Sequence, residues 1–150
     1  MRRRLGGALL AAAAVILWFS GGLPASGQSA GPVLVIEVED AISPGSTAYV
    51  NYGIEEASRR GAQLLIIKLD TPGGLVSSTR AIVKSIFASE IPVAVFVAPG
   101  GARAASAGTF ITMSAHIAAM APGTNIGAAS PVGGGGSQIK GDMRKKAMND

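Results

Sequence analysis

Short apolar runs alternate along the chain with stretches in which apolar residues recur at helical spacing. Pro32 to Asp40 predicts a first strand, apolar on both faces as far as Glu37, as in a sheet covered on both sides. Ser43-Pro44-Gly45-Ser46 is turn and cap chemistry. Val50, Ile54 and Ala57 then mark one helical face, and Arg59-Arg60-Gly61 closes that helix. Leu64 to Leu69 predicts a second strand, with Asp70-Thr71-Pro72-Gly73-Gly74 directly after it. Val76, Thr79, Val83 and Ile86 mark the next helical face, which ends near Ser89. Ile91 to Ala98 predicts a third strand, with Pro92 at its start, where proline is tolerated.

Gly100 to Phe110 comes next, followed by Ile111 to Ala115 as helix. Ile117 to Ala121 reads as a further strand, and Pro122 to Gly127 as a turn or loop. Gly133 to Gly136 reads as a flexible run, and Asp142 to Asp150 as the opening of a helix with no end. The alternation of apolar strands with helices predicts an α/β fold on a largely parallel sheet, with right-handed crossovers. The unfinished helix reads as the N-terminal part of a longer protein.

The first 27 residues differ in kind. Arg2-Arg3-Arg4 precedes an uncharged apolar stretch, Leu5 to Phe19, and then Ala25-Ser26-Gly27. This is the pattern of a signal peptide, with small residues at the cleavage site. An uncleaved N-terminal anchor is the competing reading. The apolar stretch is fifteen residues, short of the ~20 that span a bilayer.

Composition narrows the chemistry. The 150-residue chain has no cysteine and one histidine, His116, so neither a thiolate nor a multi-histidine metal site is expected. The net charge of +4 comes largely from the leader: without Arg2, Arg3 and Arg4, ten basic residues face nine acidic ones. That balance argues against a nucleic-acid surface. No nucleotide-binding glycine pattern occurs, and no cofactor or metal is implied.

Ligands of open α/β sheets gather at the carboxyl ends of the strands. Two glycine-rich turns fall there: Pro72-Gly73-Gly74, and Gly100-Gly101 with Ser106. Ser106 at a helix start is a candidate nucleophile, and the Ala107 N–H a candidate oxyanion donor. Gly73 or Gly74 would supply the second donor. A tight junction whose alanines only permit close packing is the alternative for Ser106. An ordinary strand-to-helix turn is the alternative for the glycines. The base is less obvious. His116 lies ten residues beyond Ser106, about 15 Å away along a helix at ~1.5 Å per residue, and reads as a structural residue at a helix end. A lysine with a pKa lowered by burial could serve instead. Lys68, Lys84, Lys140, Lys145 and Lys146 are available, although lysines in such places also occur as solvated surface charges.

Three motifs in order carry a resemblance. They are Leu69-Asp70-Thr71-Pro72-Gly73-Gly74, then Ala104-Ala105-Ser106-Ala107-Gly108-Thr109, then Met120 to Ala128. Together they resemble the NfeD-like membrane-bound serine proteases, of the Clp-protease/crotonase-like fold and related to signal peptide peptidase A. The resemblance covers about residues 32 to 150. It implies that residues 28–150 are the N-terminal part of a Clp-like serine protease domain, with repeated β-α units on a largely parallel sheet. It also implies a serine–lysine dyad, Ser106 as nucleophile and Lys146 as base, with Lys145 as the neighbouring alternative. Gly73, Gly74 and Ala107 match the oxyanion region. Arg103, close to the nucleophile, would bind a substrate carbonyl or be solvated.

The family further implies cleavage of apolar segments of membrane proteins, including a stomatin-like partner. It implies an exported domain at the outer face of the cytoplasmic membrane, and a homo-oligomer. A non-catalytic scaffold binding the same partner through the same crevice is the alternative. An acyl-CoA-binding crotonase is disfavoured by the leader.

Overall fold

The strands form because β-branched and leucine-rich runs are each closed by turn chemistry. The computed structural model describes residues 31–129. Residues 1–27, the glycine run and the helix expected from Asp142 to Asp150, with Lys140, Lys145 and Lys146, lie outside those residues. In chain order the elements are β1 (Val33–Glu39), α1 (Pro44–Arg59), β2 (Leu64–Asp70), α2 (Val76–Phe87), β3 (Val93–Val97), β4 (Arg103–Ala105), α3 (Ala107–Ser114), β5 (Ile117–Met120) and β6 (Asn125–Gly127). Among the described residues the main sheet has four strands in the order β1-β2-β3-β5, and every pairing is parallel. This is the expected α/β architecture.

Parallel strands need crossovers, and the helices supply them. α1 starts as its sequence requires. Ser43 caps it, Pro44 follows, and the Ser43 and Ser46 side chains bond each other's backbone N–H in a capping box. The core lies between the helices and one sheet face, which carries Val38, Leu65, Ile67, Leu69, Val93, Val95 and Val97, all buried. From the helices, Val50, Ala57, Ile82, Ile86 and Ile111 fill it.

Four expectations change. First, β1 is not covered on both faces. Its burial alternates, with Val33 and Val35 exposed at 45% and 56%. β1 is an edge strand, and the helices pack on its other side. Second, α2 does not bury Val76 and only partly buries Val83. Thr79 and Ile86 face inward as expected, joined by Ser78 and Ile82, because small residues admit α1, whose Thr47 hydroxyl reaches the Ser78 carbonyl. Third, the third strand is shorter than its apolar run and ends at Val97. Fourth, residues 122–127 are not all loop. Asn125–Gly127 is a strand parallel to Arg103–Ala105, a second strand absent from the expected set. Each has three residues, too few to show a period.

Candidate active site

Thr71, the residue after β2, joins the two sheets. Its N–H donates to the Arg103 carbonyl (2.7 Å), and its carbonyl accepts the Ala105 N–H (3.0 Å). The Asp70 carboxylate accepts the Arg103 N–H at 3.0 Å. β4 is therefore held beyond the carboxyl end of β2, on an extension that continues through β4 to β6.

Ser106 sits between β4 and α3 at φ 50°, ψ −108°. Positive φ strains a non-glycine residue by about 1–3 kcal/mol. Its neighbours hold it there. The Ser106 N–H donates to the Gly127 carbonyl (2.8 Å), and its carbonyl accepts the Thr109 N–H (3.0 Å). The Thr109 hydroxyl reaches the same Gly127 carbonyl (2.9 Å) and that of Ala104 (3.1 Å). The Ser106 side chain forms no capping hydrogen bond. A sharp strand-to-helix turn of this kind projects a serine hydroxyl away from the chain.

The Pro72-Gly73-Gly74 turn packs against this serine. Gly73 has φ 114°, and a Cβ there would lie 2.7 Å from the Ser106 Cβ. A Cβ at Gly74 would collide with the Ile42 backbone. Both positions thus need glycine, one for conformation and contact, the other for close approach. The Gly73 N–H donates to the Thr71 hydroxyl (3.1 Å). Neither the Gly74 N–H nor the Ala107 N–H donates a hydrogen bond among the described residues. The structure thus brings Ser106, Ala107, Gly73 and Gly74 together.

His116 is at the other end of the sheet. Its N–H donates to the Val93 carbonyl, and its Nδ1 accepts the Val93 N–H at 3.1 Å, at the start of β3. It is a structural ligand of the backbone. Lys68 donates to Glu37 at 2.6 Å. The Glu37 carboxylate raises the Lys68 pKa, the opposite of what a neutral base requires. Lys84, near the end of α2, is exposed. Arg103 is exposed as well. Lys145 and Lys146 lie outside the described residues. Among those described, no group of three or more histidines, cysteines or acidic residues could hold a metal ion.

The fold agrees with what the chain is similar to. The family model for the NfeD1b N-terminal domain matches residues 32–148. The chain belongs to that family. It is 43% identical over 100 residues to the membrane-bound protease PH1510 of Pyrococcus horikoshii, covering 67% of this chain and 23% of that protein. It is 38% identical over 105 residues to the membrane protein NfeD1b of Bacillus subtilis, covering 70% of this chain and 23% of that protein. The chain therefore spans about a quarter of the length of these curated relatives.

Among solved structures it resembles a lysine-to-alanine mutant of the 1510-N membrane-bound stomatin-specific protease, in complex with a substrate peptide. The TM-score is 0.74 at 36% identity, over 80% of this chain and 57% of that one. A serine-to-alanine mutant of the same protease matches with TM-score 0.73 at 36% identity, over 81% of this chain and 60% of that one. ClpP1 of Listeria monocytogenes shares the fold, with TM-score 0.61 at 20% identity over 75% of this chain and 64% of that one.

Thr71, Thr109 and the Gly127 carbonyl were not among the residues expected to build the site. A threonine two residues before a glycine can form a side-chain turn, so Thr71 left a trace. The Gly127 carbonyl left none, since its role depends on β4 and β6 meeting.

Proposed function

We propose that the chain is the serine peptidase part of an NfeD-type membrane-bound protease. Ser106 attacks a peptide carbonyl, and the Gly74 and Ala107 amides receive the oxyanion. Lys146, neutral in a dry site, takes the hydroxyl proton and later returns it to the leaving amine. Water then releases the acyl group. The observation that carries this reading is Ser106 at positive φ beside Gly73, with the Gly74 and Ala107 amides unpaired among the described residues. The serine and lysine replacements in the 1510-N structures are in keeping with a Ser-Lys pair. The bonds of Lys68 and His116 also leave those two residues ill-suited as bases.

Substrates are apolar segments of membrane proteins, with a stomatin-like partner among them. Exposed Leu75, Phe110 and Ile126 come from the three segments that build the site and offer such a segment apolar contact. The domain acts at the outer face of the cytoplasmic membrane, exported by its leader, as a homo-oligomer. No helix among the described residues is long and apolar enough to cross a membrane.

The test is hydrolysis of apolar peptides by purified protein, together with labelling by a fluorophosphonate. Ser106→Ala should abolish both while changing stability by no more than ~0.5 kcal/mol. Equal turnover by wild type and Ser106→Ala would remove the mechanism. Partner binding retained by an unlabelled, inactive wild type would favour the scaffold. Lys146→Ala should match Ser106→Ala, because members of a dyad act as a unit. Lys145→Ala should stay near wild type. The reverse pattern would move the base by one residue.

A further inference from the structure

A buried hydroxyl must find partners, and Thr71, 0% exposed, spends its hydroxyl entirely on one glycine. It accepts the Gly73 N–H at 3.1 Å and reaches the Gly73 carbonyl at 3.2 Å. That carbonyl also accepts the Ile42 N–H at 2.8 Å. The carbonyl and the following N–H of a trans peptide point in opposite directions. Holding the Gly73 carbonyl toward Thr71 and Ile42 therefore turns the Gly74 N–H away from both. The Gly74 N–H makes no hydrogen bond among the described residues. A glycine pair has no side chains to choose this orientation. Without the hydroxyl, the Ile42 N–H alone holds the Gly73 carbonyl, and a peptide between two glycines leaves this orientation more readily than one flanked by side chains.

The same residue reaches Ser106 by a second route. Its backbone brackets β4 through Arg103 and Ala105, and its Cγ2 lies 2.7 Å from where a Cβ on Gly108 would stand, in the first turn of α3. The side chain thus sets the glycine turn while the main chain sets the strand that ends at Ser106.

We propose that Thr71 is a positioning residue whose hydroxyl holds the Gly73-Gly74 peptide with the Gly74 N–H free to receive the oxyanion. This rests on the serine peptidase reading above. It predicts a fault in the transition state, not in substrate binding. Loss of one oxyanion donor costs about 10²–10³ in kcat in enzymes of this type, and a donor that is only part of the time misdirected costs less.

The experiment compares Thr71→Val, Thr71→Ala and Thr71→Ser in purified protein, with Ser106→Ala as the control. Valine keeps the volume and removes the hydroxyl. Alanine removes both without crowding Gly108. Serine keeps the hydroxyl and loses the methyl. For peptide hydrolysis, Thr71→Val and Thr71→Ala should lose about tenfold or more in kcat with KM little changed. Thr71→Ser should restore kcat to within about twofold of wild type, since the hydroxyl alone is at issue. Unchanged kcat in Thr71→Val would overturn the assignment. So would an equal loss in Thr71→Ser, which would place the effect in the methyl contact with α3. Failure of both hydroxyl-free variants to fold while Thr71→Ser folds would also overturn it, by making the bond a requirement of the fold. In each case an inert Ser106→Ala leaves the peptidase reading standing. Turnover by Ser106→Ala would defeat that reading first.

Discussion

Gly73 and Ser106 each adopt a backbone conformation that their contacts hold in place. Gly73 can take φ 114° at no steric cost, whereas Ser106 at φ 50° cannot and depends on Gly127 and Thr109. Gly73→Ala therefore adds strain and drives a Cβ into Ser106. It should cost about 1–3 kcal/mol of stability and remove peptidase activity. Chemical denaturation and a peptide assay on the same preparation check both. Retained activity would mean that the glycine turn does not serve the serine. Gly74→Ala should be worse for folding, because its Cβ meets the Ile42 main chain, which has no flexible side chain to give way.

At the scale of elements, the C-terminal end of α1 carries an ionic clamp. Glu56 accepts Arg59 at 2.7 Å and also pairs with Arg60. The Arg59 hydrogen bond, then that of Arg60, lowers the Glu56 pKa from 4.5 to about 2. The folded value lies below the unfolded one. The clamp's contribution is therefore complete above the ordinary carboxylate range and is lost as pH falls toward about 2. Glu56→Gln should be less stable than wild type at neutral pH, and the gap should close across that acid window. Urea midpoints at a series of pH values check this; a constant gap would show that the carboxylate's charge is not involved. α3 has a different dependence. Only eight residues long, it is held through Ser106, Thr109 and its buried face, not by its own propensity.

Across the whole molecule, the candidate site and the single histidine stand at opposite ends of the sheet. β3 alone, from Val93 to Val97, separates them by about 13 Å, at ~3.3 Å per residue. His116 accepts the N–H of buried Val93, so it ties β5 to β3 at the end away from Ser106. His116→Ala should cost about 1 kcal/mol for the lost bond and leave kcat unchanged. A thermal melt and a kinetic assay suffice. A loss of turnover equal to that of Ser106→Ala, with the fold intact, would restore a serine–histidine pair.

What the sequence determined by itself follows from local chemistry. Val33 to Val38, Leu64 to Leu69 and Val93 to Val97 are largely apolar runs, broken only by Glu37 and Lys68, with turn residues between them. Ser43-Pro44 can start a helix and Arg60-Gly61 can end one, whatever surrounds them. The parallel α/β sheet, the strand at Ile117, and the order of the motifs with Ser106 at a helix start were legible for that reason. Tertiary structure decided the rest. β4 and β6 exist because three residues of each find the other across nineteen intervening positions, a pairing with no local signal. The exposed face of β1 reflects where the helices settle. Thr71 gains its role from Ile42, Arg103 and Gly108, distant in sequence and adjacent in space. A residue's own chemistry can be read along a chain, but the partners that direct it are known only once the chain has closed on itself.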